Sequence, residues 1–137
     1  MTTIDVLTYA SGYDYVVFER FVGSLNDTGF IGNIYIIIKE CDREKIQLLQ
    51  SNHSNVHELI DNFEKKTAVH NHRFFVKQHF LKTGIFTSTH LLLCDFRDVL
   101  FQKNIENYTY DSSVDIYGFL EGITIERDQK HNSRWIK

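Results

Sequence analysis

The chain has 137 residues, 42% of them hydrophobic and 24% charged, with 15 basic against 18 acidic side chains and a net charge of −3. That balance excludes global disorder, and it lacks the basic footprint of a nucleic-acid binder or the polybasic cluster of a membrane-surface protein. Proline is absent, which excludes a collagenous or proline-rich chain. The length suits one domain spanning 1–137 with a real core, since ~68% of the unfolded surface can be buried at this size.

The start, Met1 to Asp5, has no basic region followed by an apolar stretch, so no signal peptide is expected. The longest apolar run, Ile34 to Ile38, is too short to span a bilayer, and cytoplasmic location is the default expectation. Two distant cysteines, Cys41 and Cys94, read as reduced, buried thiols beside strands.

Ile4 to Ala10 predicts a strand, closed by Ser11-Gly12. A helix follows from about Asp14 to Leu25, with Phe18, Phe21, Val22 and Leu25 on one face. Asn33 to Lys39 is a continuous β-branched and aromatic run, the pattern of a parallel strand buried on both faces. A short helix from Asp42 to about Gln50 presents Ile46 and Leu49. Residues Asn55 to Phe63 fit either a helical face or a short strand, and the alternation of their neighbours favours the strand. His72 to Lys82 predicts a helix that is apolar on more than one side. Thr89 to Cys94 is a strand that ends abruptly at Asp95, and Val114 to Leu120 is a further strand candidate. Strands alternating with helices argue an α/β fold with a mostly parallel sheet.

Ligands of open α/β sheets bind outside the carboxyl ends of the strands. After the first strand, Ala10-Ser11-Gly12-Tyr13 offers small residues for close backbone approach and a ring for stacking. No acidic pair lies there, which speaks against a receiver domain of similar length. No GxGxxG, P-loop or G-x-S-x-G elbow occurs. After the Leu91–Leu93 strand come Asp95, Arg97 and Asp98. Carboxylates there are hard oxygen ligands suited to Mg²⁺ or Mn²⁺. The plainer reading is that Asp95 caps a turn and that Arg97 and Asp98 form a surface ion pair. Glu121 follows a strand candidate and is a candidate general base, or simply a solvated carboxylate. Of the seven histidines, His70 and His72 are two apart and His79 is seven beyond His72, which is not the i, i+4 spacing of zinc helices, so solvated or capping roles are expected.

The segment Cys94-Asp95-Phe96-Arg97-Asp98-Val99-Leu100-Phe101-Gln102 resembles the D-x-R-D-V-x-F-Q motif of a GT-A glycosyltransferase-like family. Val6 to Gly12 is similar to that family's first strand and nucleotide-contacting loop. Asn71-His72-Arg73-Phe74-Phe75 with Phe80-Leu81 is similar to the helix before its metal strand. Phe119-Leu120-Glu121 and Asn132 to Ile136 are similar to later landmarks. The resemblance implies a Rossmann-like, nucleotide-diphospho-sugar-binding domain that transfers a sugar with Mn²⁺ or Mg²⁺. Asp95 and Asp98 would hold the metal or the donor's ribose, and Arg73 and Arg97 would offset diphosphate charge. Ala10, Ser11, Gly12 and Tyr13 would line the nucleotide pocket. The sequence departs from the D-x-D signature at Arg97, and the family's acceptor-binding half would follow beyond Lys137. Two further expectations follow: a catalytically inactive nucleotide-binding or interaction module as the alternative function, and homo-oligomer formation through the open sheet edge.

Overall fold

The computed structural model describes residues 2–65, 68–111 and 113–117. Four strands and three helices alternate in chain order: β1 (Ile4–Tyr9), α1 (Tyr15–Asp27), β2 (Ile34–Ile38), α2 (Arg43–Asn52), β3 (Val56–Ile60), α3 (Val69–Lys82) and β4 (His90–Leu93). Short 3₁₀ turns cover Glu40–Asp42 and Ile105–Asn107. The strands form one sheet in the order β3-β2-β1-β4, and every pair is parallel. The fold is α/β and Rossmann-like, and the segment that fitted either a helix or a strand holds the strand β3, Val56–Ile60.

Strand alternation sorts the side chains into two cores. On one face Ile4, Val6, Ile34, Ile36 and Ile38 pack with Phe18, Phe21, Val22 and Leu25 of α1 and with Ile46 and Leu49 of α2. On the other, Leu7, Tyr9 and Ile37 pack with Val76 of α3. The two central strands, β1 and β2, are covered on both faces, which is why they read as near-continuous apolar runs. Each fully buried Phe, Leu or Ile contributes about 1.5–3 kcal/mol, so the first core outweighs the second. The outer strands β3 and β4 are only partly buried among the described residues, and Leu93 at the end of β4 is half exposed.

Gly32 sits where the chain enters β2 against the start of β1. A Cβ at this position would lie 1.9 Å from the Ile4 carbonyl oxygen and 2.6 Å from Cζ of Phe30. Only glycine permits that approach, which sets the β1–β2 spacing.

Several expectations need correction. A 3₁₀ turn, Glu40–Asp42, precedes the helix expected from Asp42, which runs from Arg43 to Asn52, and α3 starts at Val69 rather than His72. Phe74 and Phe75 of α3 point to solvent, at 69% and 54% exposure, because the helix packs against the sheet through His72 and Val76 instead. Cys41 is exposed and Cys94 half-buried, since Cys41 lies in the 3₁₀ turn past β2. Residues 114–117 form no strand, and 118–120 lie outside the described residues. No helix among the described residues is long and apolar enough to cross a membrane.

Candidate functional site

The strand order places the site. From β1 the chain steps outward to β2 and β3, then returns to put β4 on the other flank of β1. The direction of winding therefore reverses between β1 and β4. In open α/β sheets ligands bind at the carboxyl ends of the strands where such a reversal occurs; here the segments after β1 and β4 both turn onto the α1 face of the sheet. Two predicted segments meet at that point: Ala10–Tyr13 after β1 and Cys94–Asp98 after β4. The Thr8 hydroxyl donates to the Cys94 carbonyl at 3.0 Å, and the Tyr13 ring stacks on Phe96 at 5.8 Å.

Phe96 is the anchor of the second segment. It is 1% exposed and packs against Phe18 and Phe21 of α1, at 4.9 and 4.8 Å between ring centroids. Its neighbours Asp95, Arg97 and Asp98 are all exposed. Among the described residues, neither carboxylate accepts a hydrogen bond or ion pair and the Arg97 guanidinium donates none; only the Arg97 carbonyl is engaged, by Arg20 at 2.6 Å. The expected turn cap by Asp95 and the Arg97–Asp98 ion pair are thus both missing. The three charged groups stay open to a ligand.

The first segment is pinned from below by a residue the sequence did not single out. Asp42, 2% exposed, follows β2 and accepts from the Gly12 amide at 3.0 Å, the Ser11 hydroxyl at 3.1 Å and the Lys45 ammonium at 2.9 Å. Lys45 also donates to the Tyr13 carbonyl at 2.6 Å. Burial alone would raise the Asp42 carboxyl pKa, but these donors outweigh it and hold the group below its usual value. Gly12 has φ +82°, a left-handed conformation that an L side chain rarely adopts, and this turns its amide toward Asp42. Ala10 is fully buried at the root of the loop.

A second buried carboxylate ties the third strand to the same end of the sheet. Asp61, just past β3, accepts from the Tyr9 hydroxyl at 2.5 Å, His72 Nε2 at 2.7 Å, Lys39 Nζ at 3.1 Å and the Phe63 amide at 3.0 Å. Desolvation would raise its pKa, yet the hydrogen bonds from Tyr9, His72, Phe63 and Lys39 keep it ionised and below the usual carboxylate range. Burial, with the Asp61 charge beside it, pushes the Tyr9 phenol well above its ordinary pKa. His72 is therefore a buried partner of Asp61 and not a solvated residue, because its place on α3 faces the sheet.

Two cationic residues reach this end of the sheet from α3. Arg73 is half-buried and interacts with other groups of the fold, and its charge pulls the Tyr9 pKa down. Lys77 is 7% exposed, and its ammonium lies 3.5 Å from the Cys94 carbonyl and 5.7 Å from the centre of the Phe74 ring. Burial pushes its pKa down; Cys94 and Asp95 pull it up, and Arg73 adds a smaller downward push. Burial drives the Cys94 thiol up to about 12, so it stays protonated and unreactive at neutral pH.

Of the predicted residues, Ala10, Ser11, Gly12 and Tyr13 follow β1 and Asp95, Arg97 and Asp98 follow the adjacent β4, the two segments touching through Tyr13 and Phe96, with Arg73 on α3. Glu121 and the landmarks at 119–121 and 132–136 lie outside the described residues. Asp95 and Asp98 supply two hard oxygen donors, and no group of three or more His, Cys, Asp or Glu that could hold a metal occurs among the described residues. Two carboxylates, completed by ligand phosphates and water, is a common complement for Mg²⁺. Open clefts of about 630 and 350 Å³ lie elsewhere, the first beside Thr28 and Asn104–Tyr110 and the second at the amino ends of the strands. Neither is lined by a residue of the switch-point group.

Sequence reasoning missed Thr8, Asp42, Lys45, Asp61 and Lys77. Asp42 and Asp61 had one signal, an acidic residue within a few positions of a strand's carboxyl end. The other three had none. Comparison with known protein families, with curated proteins and with solved structures finds no match to this chain.

Proposed function

We propose that this chain binds a nucleotide-diphospho-sugar at the β1–β4 switch point and, with Mn²⁺ or Mg²⁺, transfers the sugar to an acceptor. The supporting observation is the set of charged groups there. Asp95, Asp98 and Arg97 flank a buried Phe96 anchor, and their side chains make no hydrogen bond or close ion pair among the described residues. Charged groups left unpaired at a rigidly held strand end are poised for a charged ligand. In this reading Ala10, Ser11, Gly12 and Tyr13 receive the nucleotide, with Tyr13 as the stacking ring. Asp95 and Asp98 would hold the metal, which would supply charge to stabilise the diphosphate as a leaving group. Arg97 and Arg73 share that role through planar guanidinium groups matched to phosphate oxygens. The bond from the anomeric carbon to the diphosphate breaks, the nucleoside diphosphate leaves with the bonding pair, and the acceptor that takes its place on that carbon gives up its proton to solvent.

The test is calorimetric titration of a nucleoside diphosphate panel, with and without Mn²⁺, on wild type and on Asp95→Asn/Asp98→Asn. Metal-dependent binding that the double variant loses is the expected result. A wild-type protein that is folded by circular dichroism yet binds no nucleoside diphosphate overturns the proposal. Binding without sugar transfer to any acceptor would instead favour a catalytically inactive nucleotide-binding module.

A further inference from the structure

A buried ammonium normally sits against a carboxylate, because an unpaired charge is costly to keep out of water. Lys77 does not. It is 93% buried, yet no carboxylate of the described residues lies within the 4.0 Å of an ion pair. Its one hydrogen bond among the described residues, to the Cys94 carbonyl, is long at 3.5 Å, and that oxygen already takes a shorter bond from Thr8 at 3.0 Å. The Phe74 ring at 5.7 Å offers weak compensation. This ammonium stands at the end of β4, one residue before Asp95, at the switch point of the sheet. The buried acids Asp42 and Asp61, by contrast, are each fully supplied with donors.

We infer that Lys77 is an anion-binding residue of this site, its ammonium receiving the diphosphate of the bound ligand and so gaining an anionic partner at contact distance, where Asp95 acts on it only from farther away. The inference rests on the nucleotide-sugar reading for the identity of the ligand, and on the unpaired ammonium for the residue. As a compact point charge with three donors, it complements the forked contacts of Arg73 and Arg97. It would contact the phosphates only, so it discriminates by phosphate number and is indifferent to the base.

The test compares wild type with Lys77→Met, a change of similar volume that removes the charge. The titrants are inorganic pyrophosphate, a nucleoside diphosphate and its parent nucleoside. A charge-assisted hydrogen bond predicts a loss of about 10- to 100-fold in affinity for pyrophosphate and the diphosphate, with nucleoside binding unchanged. The thermal midpoint of Lys77→Met should equal or exceed that of wild type, since an unpaired buried charge is removed. In wild-type protein with ¹³C-labelled lysine, the Lys77 Cε resonance should move on adding pyrophosphate, a readout that does not depend on the variant folding. Equal affinities in the two proteins, or an unmoved resonance on a ligand that binds, overturn the inference and leave the nucleotide-sugar reading intact. Pyrophosphate binding that needs Lys77, without any nucleoside diphosphate selectivity, keeps the inference and sinks that reading. Wild-type protein that binds neither compound sinks both.

Discussion

Replacing Asp61 with asparagine removes the charge that joins β1, β3 and α3. The native carboxylate is fully buried and receives four donors, from Tyr9, His72, Lys39 and Phe63. The Lys39 side chain is 37% exposed and can return to water, so its share is small. Tyr9 and His72 are buried, at 7% and 5% exposure, and their donors have no other acceptor among the described residues. Breaking a buried charged network from one side costs about 3–5 kcal/mol. Discounting Lys39 leaves roughly 3 kcal/mol, a fall of about 10 °C in thermal midpoint for a domain of this size. Urea unfolding at pH 7, followed by far-UV circular dichroism, measures it. The pH dependence supplies a second check. The folded Asp61 pKa lies below the unfolded value, so the unfolded chain binds more protons between the two. Its contribution is present in full above about pH 4 and is lost as pH falls through the folded pKa. The gap between wild type and Asp61→Asn should therefore close in acid. A difference under about 1 kcal/mol at pH 7, or one that persists unchanged below pH ~3, refutes the assignment of this network as a stabilising clasp.

Phe96→Ala empties the space between Tyr13, Phe18 and Phe21 and should cost about 3–5 kcal/mol in urea unfolding. It should also weaken any nucleoside diphosphate binding beyond the effect of Asp95→Asn/Asp98→Asn on metal dependence, because the loop bearing both carboxylates loses its anchor. Gly32→Ala drives a methyl to 1.9 Å from the Ile4 carbonyl, so one strand must shift. A loss of about 1–3 kcal/mol or more is expected, and a thermal midpoint equal to wild type would show that the β1–β2 approach is loose.

The elements whose burial follows a simple period were legible from residue order. The face Phe18, Phe21, Val22 and Leu25 is the buried face of α1, and the isoleucine run is the doubly covered strand β2. Both segments of the candidate site were also legible, because small residues or acids directly after an apolar strand stand at a sheet's carboxyl edge. The helix at 69–82 was harder. Its aromatics point in several directions, and periodicity does not say that a histidine and a valine face the sheet while Phe74 and Phe75 face water.

Residue order determined the strands and helices, because a hydrophobic period reports which face of a segment avoids water. It determined nothing about which strands become neighbours. Only the tertiary structure set β4 beside β1, and with it the meeting of residues 8 and 94, of Asp42 with Gly12, and of Asp61 with Tyr9 and His72. These pairs are up to 86 positions apart and join polar groups, which leave no periodic trace. Their partners are chosen by strand order and by the need to satisfy each buried donor and acceptor. Lys77 meets that need through a long bond to the Cys94 carbonyl.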